Sequence, residues 1–107
     1  MTNLTFSEKN DIILEINDTE SGENMVLALD VGNSEISIGV FRNGSLSFVS
    51  HISTDTNRTA DEYAIKILSI LNLYTIDRKT VKGVVISSVV PQLNFTLRKS
   101  IQFVFDT

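Results

Sequence analysis

The 107-residue chain has no cysteine and no tryptophan, a single proline, a single histidine and only five glycines. Without cysteine there is no disulfide framework and no thiolate metal site, a composition that fits a reducing interior such as the cytoplasm. His51 stands alone with no neighbouring ligand pattern, which leaves a histidine metal centre without support. No stretch reaches the roughly 18 apolar residues of a membrane span. Residues 1–24 carry neither the basic segment nor the apolar core of a signal peptide. Positive charge is scarce as well: the net charge of -4 and pI near 4.8 argue against a nucleic-acid or membrane-surface binder, which needs a concentrated basic face. The expectation is a soluble cytoplasmic chain with neither nucleic acid nor membrane as partner, in which five Asn-x-Ser/Thr matches carry no glycosylation meaning.

What is present is one domain's worth of patterned sequence. Composition changes at Met25. Residues 1–24 are acidic and polar with one apolar patch, Ile12-Ile13-Leu14, and are expected to be a disordered leader, leaving residues 25–107 as the domain. Val26 to Leu29 is continuously apolar, the pattern of a central strand covered on both faces. Ile36, Ile38 and Val40 alternate with Ser37, Gly39 and Phe41, and Leu46, Phe48, Ser50 and Ile52 continue the alternation beyond Asn43-Gly44. That spacing predicts a hairpin with a type I′ turn.

Thr59 and Glu62 have capping-box spacing and predict a helix beginning near Ala60. Ala60, Tyr63, Ala64, Ile67, Leu68 and Leu71 form its apolar stripe. Ile65, Ile70 and Leu73 widen that stripe, as if a second side were also in contact. Val84-Val85-Ile86 reads as a buried strand parallel to the first, since a helix precedes it. Pro91 suits the opening turn of a second helix, whose buried face would be Leu93, Leu97, Ile101 and Val104.

The chemistry-bearing feature is the turn after the first strand, Asp30-Val31-Gly32-Asn33-Ser34. Glycine lets backbone approach a bulky anion, successive turn amides can face phosphate oxygens, and a strand-end carboxylate suits a hydrated magnesium ion. The same residue types also make an ordinary hairpin turn, so local chemistry leaves both readings open. Ser87 and Ser88 end a parallel strand beside the first, where ligands of open α/β sheets collect, or simply allow the strand to turn into its helix. Arg58 reads as a phosphate or carboxylate ligand or as a solvated loop residue. Asp61 and Glu62 resemble a catalytic pair but fall in a first helical turn, where acids favour the macrodipole. Tyr63 falls on the buried stripe.

Taken in order, Asp30-Val-Gly-Asn-Ser34, Gly39-Val-Phe41, Ile52-Ser-Thr-Asp55, Arg58-Thr-Ala-Asp-Glu-Tyr63 and Ile86-Ser-Ser-Val-Val-Pro91 resemble the amino-terminal half of the type III pantothenate kinases. The resemblance runs from Met25 to about Phe105. It implies an α/β fold: a ribonuclease H-like half-domain of the actin-like ATPase superfamily, βββαβα, with a mixed sheet ordered 3-2-1-4 counting from the Val26 strand. It implies ATP-dependent phosphorylation of pantothenate, the first step of coenzyme A synthesis. Asp30 would then ligate Mg2+, and Asp30, Val31, Gly32, Asn33, Ser34, Glu35, Ile36 and Ser37 would line the ATP phosphates. Ser34 stands where threonine is usual, and Glu35 would have to turn away from the polyphosphate. The resemblance further implies a homodimer and a monovalent cation, K+ or NH4+. The family's Gly-x-Asp-Arg base motif, second phosphate loop, cation aspartate and substrate threonine have no counterpart here, so no catalytic residue is assigned, and the chain is expected to be inactive alone and incomplete at its C-terminal end. The alternative is a non-catalytic nucleotide-binding or partner-binding module.

Overall fold

The computed structural model describes residues 12–16 and 24–106. Five strands form one mixed sheet: β1 (Ile12–Glu15), β2 (Met25–Val31), β3 (Glu35–Arg42), β4 (Ser45–Ser53) and β5 (Val81–Ser88). Among the described residues two helices accompany them, α1 (Ala60–Leu73) between β4 and β5, and α2 (Asn94–Phe105) after a short 3-10 turn at Pro91–Leu93. The sheet order is β1-β5-β2-β3-β4. β2 pairs antiparallel with β3 and parallel with β5, as the intervening helical crossover requires.

The expected four-strand order 3-2-1-4 does not describe this sheet, because a fifth strand is present. β1 comes from the segment expected to be a disordered leader and pairs antiparallel with β5, Ile12 opposite Ile86 and Glu15 opposite Gly83. Ile16 continues the contact, its amide donating to the Lys82 carbonyl at 2.9 Å. Ile12, Leu14 and Ile16 pack against the core, whereas Ile13 points outward and is exposed. The apolar patch is thus a period-2 strand that supplies partners to an otherwise open sheet edge. The other residues of that leader, apart from Asn24, lie outside the described residues.

Leu27, Leu29 and Val31 of β2 and Ile36, Ile38 and Val40 of β3 form a buried rank with Tyr63, Ile67 and Leu71 of α1 and Leu97, Ile101 and Val104 of α2. On the alternate rank of β2, Ala28 is buried while Val26 and Asp30 are half-buried, so both faces of the strand are covered, the Leu27 face more fully. α1 differs from expectation. Ile70 is buried, but Ile65 and Leu73 are 65% and 74% exposed, because the sheet and α2 occupy only one side of the helix.

Local signals act as their chemistry dictates. Asn43 and Gly44 both take positive φ, 52° and 83°, the condition for a type I′ turn. Asn43 is fastened by its amide to the Asn24 carbonyl and by its Oδ1 to the Asn24 amide. At α1 the capping box is complete: the Thr59 amide donates to Glu62 Oε1 at 2.9 Å, and the Glu62 amide donates to Thr59 Oγ1 at 3.2 Å.

Two predictions follow from these contacts. Deleting residues 1–16 should lower the melting temperature by roughly 5 to 15 °C, since half-burial of Ile12 and Leu14 is worth about 1.5 to 2.5 kcal/mol. An unchanged melting curve would show that β1 adds no net stability. The hydrogen bonds from Thr59 hold the Glu62 carboxyl below the ordinary glutamate value. A depressed folded value means stability present above the unfolded value and lost as pH falls through the folded one. Glu62→Gln should therefore flatten that part of the acid limb of a stability-versus-pH profile, and an unaltered slope would refute the assignment.

Candidate functional site

Pairing of β2 on both edges puts the polar residues in one transverse rank. Asp30 lies opposite Ser37 on β3 and opposite Ser87 on β5, and Ser37 lies opposite His51 on β4. Residues in register share a face, so Ser87, Asp30, Ser37 and His51 all stand on the sheet face away from the Leu27 and Leu29 rank. Asp30 is half-buried at the carboxyl end of β2. Among the described residues no three histidine or carboxylate side chains converge.

Beyond Val31 the chain turns through Gly32, Asn33 and Ser34, and the Gly32 amide donates to the Glu35 carbonyl at 2.9 Å to start the hairpin. A Cβ at Gly32 would lie 3.1 Å from that same carbonyl oxygen. Glycine is favoured here by close backbone approach and not by a positive φ, which among the described glycines occurs only at Gly44. Val31 is buried and its carbonyl accepts the Val89 amide at 3.0 Å, which ties the end of β5 to the turn. Ile36 is a core residue. Within the expected phosphate-lining segment, then, Val31 and Ile36 serve packing, and Asn33, Ser34 and Glu35 are exposed.

Two residues outside that segment shape it. Thr54 Oγ1 donates to the Gly32 carbonyl at 2.7 Å and the Thr54 amide donates to the Ser34 carbonyl at 2.9 Å. The next residue is anchored in turn: the buried Tyr63 hydroxyl donates to the Asp55 carbonyl at 2.8 Å and accepts the Asp55 amide at 3.0 Å. Sequence reading placed Thr54 within a motif without assigning it a role, and read Tyr63 as core. A polar-tipped ring on an otherwise apolar stripe was the available signal, because a buried tyrosine hydroxyl needs a partner.

Arg58 is not a free solvated side chain: Nη1 donates to the Ser53 carbonyl at 3.0 Å and the guanidinium lies 5.0 Å from the Tyr63 ring centroid. Ser88 Oγ makes two local contacts with the Val90 backbone, the turn-forming role, while Ser87 remains beside Asp30. Asp61 is exposed in the first turn of α1, and Glu62 caps it. Glu35 turns toward β4, its carboxylate 3.4 Å from His51 Nδ1. Ser37 Oγ lies 3.1 Å from the same nitrogen. Serine and carboxylate on one ring nitrogen do not form a relay across the imidazole, so this trio is not a hydrolytic triad.

A strand-end carboxylate, a turn closed tightly at glycine, and two serines brought alongside from neighbouring strands meet at one end of the sheet. The profile of the type III pantothenate kinase family matches residues 26–107. The chain belongs to that family. It is 40% identical over 75 residues to a type III pantothenate kinase of Brevibacillus brevis, an alignment covering 70% of this chain and 29% of that relative. The chain therefore spans less than a third of the relative's length. No helix among the described residues is long and apolar enough to cross a membrane.

Gly32→Ala should cost on the order of 1 to 3 kcal/mol, because the added methyl meets backbone that the hairpin holds in place. Thermal unfolding measures it. A variant as stable as the parent would show that the turn relaxes freely.

Proposed function

We propose that this chain supplies the first phosphate-binding element of an ATP-dependent kinase acting on pantothenate, within a ribonuclease H-like half-domain running from β2 to α2. The observation that carries the reading is the conjunction at one strand end: Asp30 in rank with Ser37 and Ser87, followed at once by a turn in which a Cβ at Gly32 would lie 3.1 Å from backbone.

Asp30 fits a magnesium ion of the kind that accompanies ATP. Such an ion keeps most of its water and takes one or two protein carboxylates, so a single half-buried aspartate suffices. When bound, magnesium would neutralise phosphate charge and favour its transfer. The turn would present the amides of Asn33, Ser34 and Glu35 and the Ser34 hydroxyl to the phosphate oxygens, while the Gly32 amide closes the hairpin and the Ser37 hydroxyl lies against His51. Held toward His51, the Glu35 carboxylate is drawn toward β4, which lessens its repulsion of a polyphosphate. Phosphoryl transfer also needs a base for the pantothenate hydroxyl. No residue among those described is assigned that role, nor the monovalent cation, nor a homodimer contact.

Titration of the isotopically labelled chain with magnesium ATP tests the reading. Amide shifts should concentrate between Asp30 and Ser37, and Asp30→Asn should weaken the magnesium-dependent part of the affinity at least tenfold while leaving the melting temperature within a few degrees. Shifts located elsewhere, or an Asp30→Asn variant equally responsive to magnesium, would remove the basis of this function.

A further inference from the structure

We propose that Thr54 is a positioning residue for nucleotide: by holding the Gly32 and Ser34 carbonyls toward β4, it turns the following amides toward the phosphate side of the strand end. The inference rests on the phosphate-binding reading above and adds a residue that touches neither metal nor substrate.

A trans peptide is planar, so its N–H points opposite to its C=O. Thr54 Oγ1 holds the Gly32 carbonyl at 2.7 Å, and the Thr54 amide holds the Ser34 carbonyl at 2.9 Å. Both carbonyls are therefore directed at the end of β4, and the amides of Asn33 and Glu35, which share those peptide planes, are directed away from it. In the order of the sheet, away from β4 is toward β2 and β5, the strands that carry Asp30 and Ser87 in register. Were either peptide to flip, a carbonyl oxygen would replace an N–H and face an anion with negative partial charge. A carbonyl that already accepts a hydrogen bond resists that flip.

Thr54 holds this geometry because it is itself held. The amide and carbonyl of Asp55 both bond the Tyr63 hydroxyl, and Tyr63 is fully buried in α1. The capping box at Thr59 and Glu62 fixes the first turn of that helix, on which Tyr63 sits. A chain of contacts thus runs from the helix through Asp55 and Thr54 to the peptides of the turn, with a preset direction that costs no reorganisation when ligand arrives.

The test is magnesium ATP titrated into labelled wild type, Thr54→Val, Thr54→Ser and Tyr63→Phe, with backbone amides and melting temperature followed together. Valine keeps the shape and removes the Oγ1 donor, and serine restores it. Thr54→Val should weaken affinity at least fivefold and move the unliganded amide signals of Asn33 and Glu35, with signals of β2 and α2 in place. Thr54→Ser should return affinity to within about twofold of wild type. Should Thr54→Val fail to fold, Tyr63→Phe decides: it should lose twofold or more, and unchanged affinity overturns the proposal. Wild-type shifts at the turn with Thr54→Val binding equally well overturn this inference alone. Wild-type shifts absent from the turn overturn the phosphate-binding reading and this inference with it.

Discussion

β2 is hydrogen-bonded on both edges, antiparallel to β3 and parallel to β5, and the rest of the molecule is arranged around that double pairing. The hairpin with β3 is local. The pairing with β5 brings Leu27 beside Val84 and Asp30 beside Ser87, across a connection that contains all of α1. Closing so long a loop costs entropy before any contact repays it. The repayment is apolar: Leu27, Leu29, Val84 and Ile86 are each fully buried. The alternate rank is set by the same register at no further cost in chain entropy, and that is the rank on which Asp30, Ser37 and Ser87 meet. Core packing and the polar strand end are consequently two faces of one strand register, and a slip by one residue would exchange them.

Much of this was legible because the signals are local. Asn43-Gly44 needs only its own two φ angles, the Thr59 and Glu62 box only one helical turn, and the stripe of Leu93 in the 3-10 turn with Leu97, Ile101 and Val104 in α2 only its spacing. The turn at Gly32 stood out because an Asp-Val-Gly-Asn sequence closing an apolar run is locally informative. β1 was not legible for the opposite reason. Ile12–Glu15 is four residues long in polar surroundings, and its strand character comes from the edge of β5, which belongs to residues about seventy positions later. The exposure of Ile65 and Leu73 likewise depends on how many neighbours α1 has, which the helix's own sequence does not encode. Thr54 and the Tyr63 hydroxyl escaped assignment because both act through backbone carbonyls. A carbonyl is the same in every residue and leaves no trace in the pattern.

The strand end has an electrostatic peculiarity that bears on how it would work. The chain carries net charge -4, and at this corner Asp30 and Glu35 contribute carboxylates while Arg58 is committed to the Ser53 carbonyl and the Tyr63 ring. A bare polyphosphate brought here meets negative charge at a distance where the repulsion is worth several kcal/mol at the effective dielectric of a protein surface. Backbone amides offset part of this, but each carries only a partial charge. On the proposed reading a divalent cation at Asp30 arrives with the ligand and supplies compensating charge. On the proposed reading metal and nucleotide are thus coupled: each lowers the cost of the other's presence, and neither binds well alone. A cradle lined with lysines would hold free phosphate indiscriminately. A carboxylate beside oriented amides instead favours the metal-bound form of the nucleotide, so the acidic character of the site becomes its means of selection.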